Sequence, residues 1–384
     1  MRVCQFRHIR KVDRLDHCNP ASGRTINADV LRSRASFMLR LALLFGLVSL
    51  GSFMQTGANA KEPVQLVLDT DIGNDIDDTL ALALIHALAN RGEVRLLAVT
   101  ITKDNRYAAP FVDLVNTFYG RPDIPVGVVR GGKTPKDSPM IQIPAQRRNA
   151  NGQFVYPHRL SDGALAPEAV QLLTQVLTAQ PDGSVTLAQI GFSTNLARLL
   201  KSTEGLALVR RKVKLLVIMG GNFVAPEPEY NIYTDPDSAK VLLENWPTPI
   251  VFSGFEVGSA VLFPYQSIEK DFNYTDNHPV AEAYRIFLPK GEDRPAWDPT
   301  AVLEAIRPDR NYFDLSTTGR VELGPKNTTV FTPNPNGNCR YLIVNREGAL
   351  RVKQLLADLV SEPPQRINSP AQSRVAVLPS RIVF

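Results

Sequence analysis

The chain has 384 residues, 44% hydrophobic and 21% charged, an ordinary globular balance with enough apolar material for one large core. Its net charge of +5 comes from the first 60 residues; beyond them 34 Lys and Arg face 35 Asp and Glu, which excludes a basic surface for nucleic acid. Cys4 and Cys18 also fall in that leading stretch and only Cys339 follows it, so the rest of the chain has neither an internal disulfide nor a cysteine metal site.

At the start, Arg32, Arg34 and Arg40 precede an apolar run from Leu41 to Met54. Gly57-Ala58-Asn59-Ala60 then supplies an A-x-A cleavage pattern. The run is short for a membrane span. Residues 1–60 are expected to be an export signal removed before Lys61, with Met38 beginning a leader of ordinary length. An uncleaved anchor is the alternative. The expected product is periplasmic or secreted, with no stable membrane association.

After the leader, apolar strands alternate with helical patterns. Strands are expected at Val64–Leu68, Arg95–Ile101, Ile124–Val129, Val185–Ile190, Val213–Met219 and Ile250–Phe252. Helices are expected at Asp78–Ala89, Phe111–Tyr119, Pro167–Ala179, Thr194–Leu200 and Pro236–Asn245. Residues 130–165, rich in Gly, Pro, Asn, Arg and Lys, read as one long loop. Glu292–Ile306 reads as a loop and a helix, Phe313–Val321 and Tyr341–Val344 as strands, Glu347–Val360 as a helix, and residues 362–384 as peripheral. The alternation implies an α/β fold: an open, mainly parallel sheet with helices on both faces, in one domain over residues 61–384. Such sheets bind ligands at the carboxyl ends of their strands. Polar groups follow several of those ends, among them Asn105, Thr194 with Asn195, and Gly220 to Asn222.

The first strand ends in the densest of these groups. Asp69, Asp71, Asp75, Asp77 and Asp78 put five carboxylates into ten residues. They repel one another unless a cation sits among them, and an oxygen-only donor set selects a hard one, calcium or magnesium. Helix capping explains one or two of the five. An EF-hand loop starting at Asp69 is excluded, because it needs glycine where Asn74 stands and glutamate where Leu80 stands. A phosphatase-type Asp-x-Asp accounts for neither Asp75 nor the Asp77-Asp78 pair.

The run Asp69-Thr70-Asp71-Ile72-Gly73 with Asp77-Asp78, ahead of an Ala/Leu-rich helix, resembles the entry motif of the inosine–uridine preferring nucleoside hydrolases, in a longer form of that motif. The resemblance extends from about Val64 to Val360 and has a Rossmann-like fold. It implies Asp77 as general base and Asp71 and Asp78 as calcium ligands. Gly191-Phe192-Ser193-Thr194-Asn195-Leu196-Ala197 is similar to the turn whose threonine carbonyl binds calcium, here Thr194. Trp297-Asp298-Pro299 matches the segment whose aspartate, Asp298, completes the calcium shell. Asn105, Glu229 and Asn231 would contact the ribose, with Met219 beneath it. Each also has a plainer reading: Asn105 as a turn residue, Met219 as core, Glu229 and Asn231 as loop caps, Trp297 as a buried anchor.

The implied reaction is calcium-dependent hydrolysis of the N-glycosidic bond of a nucleoside or related riboside, giving ribose and free base, with a small-molecule riboside as substrate and a homo-oligomer as one form the chain can take. A calcium-dependent binding protein without catalysis is the alternative. The departure from the family is at the leaving group. Many members carry histidine where Trp297 stands, and Asn222 replaces their Gly-Asn loop only in part. Of the histidines beyond residue 60, His86 reads as packing, His278 as part of a surface turn, and His158 as the one positioned to reach the pocket from the long loop.

Overall fold

Seven strands lie side by side and parallel in the computed structural model, which describes residues 62–365. The leader assigned to residues 1–60, with its cleavage site, lies outside the described residues. The seven are β1 (Val64–Thr70), β2 (Val94–Lys103), β3 (Val126–Lys133), β4 (Val185–Gln189), β5 (Val213–Met219), β6 (Ile250–Ser253) and β7 (Cys339–Ile343). Their order in the sheet is β7-β6-β5-β4-β1-β2-β3. Strands Asp314–Leu315, Gly319–Leu323 and Thr329–Pro333 add antiparallel pairs at the β7 edge. The open α/β architecture expected from the alternation is the one observed.

The sheet is buried on both faces, which explains why its strands are almost wholly apolar. Side chains alternate between two cores. Leu66 and Leu68 of β1 face one; Val67 faces the other. The first core takes helices Asp77–Asn90, Ala108–Phe118, Trp297–Ile306 and Arg346–Val360. The second takes Ala169–Ala179, Thr194–Leu200, Thr203–Lys212 and Pro236–Asn245. Helix Asp77–Asn90 is apolar on every side because it packs on the sheet and against the two helices Trp297–Ile306 and Arg346–Val360.

The strand order reverses at β1. The chain steps outward through β2 and β3, returns to lay β4 on the other flank of β1, and continues outward through β5 and β6. The crevice between the carboxyl ends of β1 and β4 is therefore the place where such a sheet binds ligands.

Two expectations need correction. Residues 130–165 are not one loop. Pro139 starts a helix, Pro139–Gln146, whose Met140, Ile141, Pro144 and Ala145 are buried against helices Ala108–Phe118 and Pro279–Phe287. Proline at the first helical position is favourable, but the surrounding Gly, Pro and Lys mask the signal. His278 is not on a surface turn. It is 4% exposed, closes the start of helix Pro279–Phe287, and places Nε2 2.6 Å from the Tyr274 hydroxyl.

Candidate active site

At the carboxyl ends of β1, β4, β5 and β6 lies a cavity of about 340 Å³. Its lining combines Asp71, Asp75, Asp77, Asp78 and Asp298 with Met219, Glu229, Asn231 and Trp297, so residues from four separate segments meet in one place.

Two helix N-termini converge there. Asp77 and Asp78 occupy the first turn of helix Asp77–Asn90, and Asp298 the first turn of helix Trp297–Ile306. Negative charge is favoured at both ends by the helix dipoles. Carboxylate oxygens of Asp77, Asp78 and Asp298 lie within 4.8 Å of one another, all three residues buried. The Asp298 backbone N–H donates to Asp77 Oδ2 at 3.1 Å, and the Thr70 hydroxyl donates to Asp78. Burial is the largest influence on all three, raising their pKa values well above the carboxylate norm, and neighbouring carboxylates add to it. Asp71 is buried beside them and pushed up to about 6 by the same desolvation.

Such a group is unfavourable when ionised alone. All its donor atoms are oxygen, which matches a hard cation rather than zinc or copper. The residues present therefore fit a bound metal ion. The tightest trio contains Asp77 rather than Asp71, whose Oδ2 instead accepts from Asn74 Nδ2 at 2.7 Å. Asn74 Oδ1 in turn accepts from Lys103 Nζ at 2.8 Å, and that lysine also donates to the Thr134 carbonyl at 2.7 Å. The linkage holds a buried cation within reach of the acidic loop without placing it in the trio.

Glu229 and Asn231 line the cavity, yet both are largely committed to the protein. Glu229 caps helix Tyr230–Thr234, accepting from the Asn231 and Ile232 N–H groups at 2.9 and 3.2 Å and from Gly221 N–H at 3.2 Å. Burial raises its carboxyl to about 7. Asn231 Nδ2 donates to the Ile190 and Met219 carbonyls at 3.1 and 3.3 Å. Glu229 is thus a helix cap and Asn231 a tie between two strand ends, and both side chains also border the cavity.

Trp297 forms an aromatic wall with Phe255, their ring centres 5.6 Å apart and nearly parallel. Its Nε1–H is spent on the Phe255 carbonyl at 3.0 Å and Ser259 Oγ at 3.1 Å. Gly258 permits this seat, because a Cβ there would lie 2.3 Å from Trp297 Cα.

The remaining candidates are not among the lining residues. Thr194 is buried, its hydroxyl donating to Asp235. Asn105 is not among the lining residues; it ties a turn together, donating to Asp137 at 2.9 Å and accepting from Tyr107 N–H at 2.9 Å. Asn222 also lies outside the lining, its Oδ1 accepting from Ala225 N–H at 2.9 Å. His158 is held away from the cavity. Its Nδ1 sits 2.7 Å from the Tyr156 carbonyl, its ring lies on Phe154, and the N–H groups of Arg159 and Leu160 are fastened to Asp113.

Asn74, Tyr230, Phe255 and Arg294 also line the cavity and were not picked out from sequence. Phe255 follows the end of β6, so the strand-end rule reaches it. Nothing local to Arg294 marks it.

The chain matches the family model described as inosine-uridine preferring nucleoside hydrolase over residues 66–352. It is 30% identical over 288 residues to the pyrimidine-specific ribonucleoside hydrolase RihA of Salmonella typhi, covering 67% of this chain and 86% of that one. The protein of the same name from Photobacterium profundum is 29% identical over 319 residues, covering 74% and 95%. Among solved structures, the inosine-uridine preferring nucleoside hydrolase of Bacillus anthracis superposes with a TM-score of 0.58 at 21% identity, covering 77% of this chain and 99% of that one. The effector protein XOO4466 superposes at 0.60 with 19% identity, covering 78% and 94%.

Proposed function

The chain belongs to the inosine-uridine preferring nucleoside hydrolase family, hydrolases of the N-glycosidic bond, and from that premise we propose that it cleaves ribonucleosides with calcium as its metal. The observation that carries the reading is the meeting of Asp77, Asp78 and Asp298 in a cavity that Phe255 and Trp297 also line. The carboxylates suit a cation and a sugar, the aromatic rings a flat base.

Asp71, Asp78, Asp298 and the Thr194 carbonyl would hold the calcium, whose flexible coordination tolerates a mixed carboxylate and carbonyl set. When bound, the ion supplies positive charge that restores ionisation of the buried carboxylates and makes a nearby water more acidic. Asp77 is the proposed proton acceptor from the attacking water. The Asp298 N–H donates to its Oδ2 and so orients the carboxylate. Glu229 and Asn231 would hold ribose hydroxyls with the oxygen atoms and lone pairs their internal bonds leave over, and Met219 supplies an apolar floor. Positioning of this kind aligns the water with the anomeric carbon and converts an encounter into a near-unimolecular step. The proposed substrate is a small riboside. Export to the periplasm or medium would place the enzyme where extracellular nucleosides are salvaged.

The test is release of reducing sugar from a panel of pyrimidine and purine ribonucleosides, with calcium and after chelation. Hydrolysis that chelation abolishes and calcium restores is expected. Failure on every riboside with calcium bound would overturn the reading.

A further inference from the structure

We propose that Arg294, held by Asp75, is the group that stabilises negative charge on the departing base; this rests on the hydrolase reading above. Arg294 lines the cavity and is about one-quarter exposed. Its Nε donates to Asp75 Oδ1 at 2.9 Å, and Nη2 donates to Asp75 Oδ2. Its guanidinium carbon lies 5.1 Å from the Trp297 ring centre and 5.3 Å from that of Phe287. Asp75 is the one acid of the entry motif outside the metal trio that makes an ion pair across the cavity rim. It grips one edge of the guanidinium, and Nη1 on the other edge has no bond to Asp75.

The chemistry of bond breaking supplies the need. Heterolysis of the N-glycosidic bond leaves the electron pair on the base nitrogen, so the base departs as an anion unless a proton reaches it. No histidine lines the cavity: His86, His158 and His278 are all elsewhere, and Trp297 has spent its only N–H. Of the other protic groups there, burial makes the Tyr230 phenol hold its proton more tightly than usual, and both Glu229 oxygens already accept backbone N–H groups. Arginine cannot give up its proton at ordinary pH, but its N–H groups form charge-assisted hydrogen bonds to an anion. A fixed cation beside the aromatic wall meets charge as it develops, with no rearrangement. Asp75 sets the balance: it orients the guanidinium and also moderates its field.

The probe is 4-nitrophenol, whose phenolate is followed by its colour, titrated against the calcium-loaded enzyme. In wild type the bound phenol should ionise about one pH unit lower than in Arg294→Met, equivalent to a tenfold shift in phenolate over phenol binding. Arg294→Lys should keep part of that shift. Asp75→Asn should enlarge it, because the cation loses its counter-charge. Kinetically, Arg294→Met should steepen the dependence of kcat on leaving-group acidity, losing more on uridine than on 4-nitrophenyl riboside. An equal phenol pKa in wild type and Arg294→Met, with both variants folded by circular dichroism, would overturn the assignment while leaving the hydrolase reading intact. Loss of the phenolate preference in Asp75→Asn would make the pair a structural strut. A wild type that shifts the phenol yet cleaves no riboside would instead sink the hydrolase reading and the leaving-group role with it, leaving only an anion site.

Discussion

Gly191 and Asp71 press backbone against backbone: a Cβ placed on Gly191 would stand 2.5 Å from the Asp71 nitrogen and 2.6 Å from Thr102 Oγ1. The contact lies where β4 returns beside β1. The N–H groups of Ile190 and Gly191 both donate to the Asp69 carbonyl, at 2.7 and 3.3 Å. The acidic loop is thus seated on the end of its neighbouring strand. Gly191→Ala should force the two strand ends apart, costing about 1–3 kcal/mol as overpacking does. Calcium affinity should fall with it, since Asp71 moves relative to Asp78 and Asp298. Urea denaturation and calorimetric titration with calcium check both. Wild-type values for the alanine variant would mean the contact is soft.

The division of labour among the carboxylates makes a second prediction. Asp71→Asn or Asp298→Asn should lose calcium and activity together, because each removes a charged ligand of a hard cation. Asp77→Asn should retain most of the calcium and lose about 10²–10⁴-fold in kcat, the range for a general base. Asp77 has an oxygen within 4.8 Å of oxygens of both Asp78 and Asp298, so this is the demanding case. Elemental analysis beside kinetics decides it, and an empty site in Asp77→Asn would reassign Asp77 as a ligand.

The sheet and the acidic loop were legible in the sequence for physical reasons. Buried parallel strands are nearly continuous apolar runs, and five clustered carboxylates have few explanations. Val64–Leu68, Val185–Ile190 and Val213–Met219 each match a strand of the structure to within two residues. Elements after β6 were less legible. Phe255–Ala260, Tyr265–Lys270 and Pro279–Phe287 are short helices set by tertiary contacts rather than by periodicity. Arg294 was invisible because its partner Asp75 lies far away in sequence and meets it only through folding. Asn105 and Asn222 satisfied motif positions, but their side chains are drawn into local turns, a preference asparagine has in any loop.

Two neutral histidines give stability a definite acid limb. Burial holds His86 and His278 down to about 3, with the nearby Arg121 and Arg285 cations adding to it. An unfolded chain protonates them near 6.5. Their contribution is therefore complete above pH 6.5 and is lost as pH falls below it, at about 1.4 kcal/mol per pH unit for each. Glu304 runs the other way: burial raises it to about 7, so its contribution is complete below the unfolded value of 4.5 and fades as pH rises toward 7. His278→Gln should flatten the fall in urea stability between pH 6.5 and 5 by about one proton's worth. Glu304→Gln should steepen it by the same amount. An unchanged slope in either variant would contradict the burial argument.

Export predicts a mature chain beginning at Lys61, since the A-x-A pattern ends at Ala60. N-terminal sequencing of the protein recovered from a bacterial periplasm or medium checks it. An intact Met1 or Met38 on soluble exported protein would contradict cleavage.

The leaving group is where Trp297 matters most. General acid assistance is worth about 10²–10⁴-fold where the base leaves poorly, and nothing where it leaves well. With no histidine in the lining and the Trp297 N–H occupied, 4-nitrophenyl riboside should be cleaved far faster than cytidine or adenosine. His158 was the remaining internal candidate for a donor. Its ring nitrogen is 2.7 Å from the Tyr156 carbonyl, and its loop is pinned through Arg159 and Leu160 to Asp113. His158→Ala should therefore change kcat on natural nucleosides and on the activated riboside equally and by less than about threefold, well short of the general-acid range. A selective loss on natural nucleosides would reveal that the loop swings inward during turnover and carries the acid with it. Equal rates for wild type on cytidine and on the activated riboside, with bond cleavage limiting, would require an efficient proton donor in place of the aromatic wall.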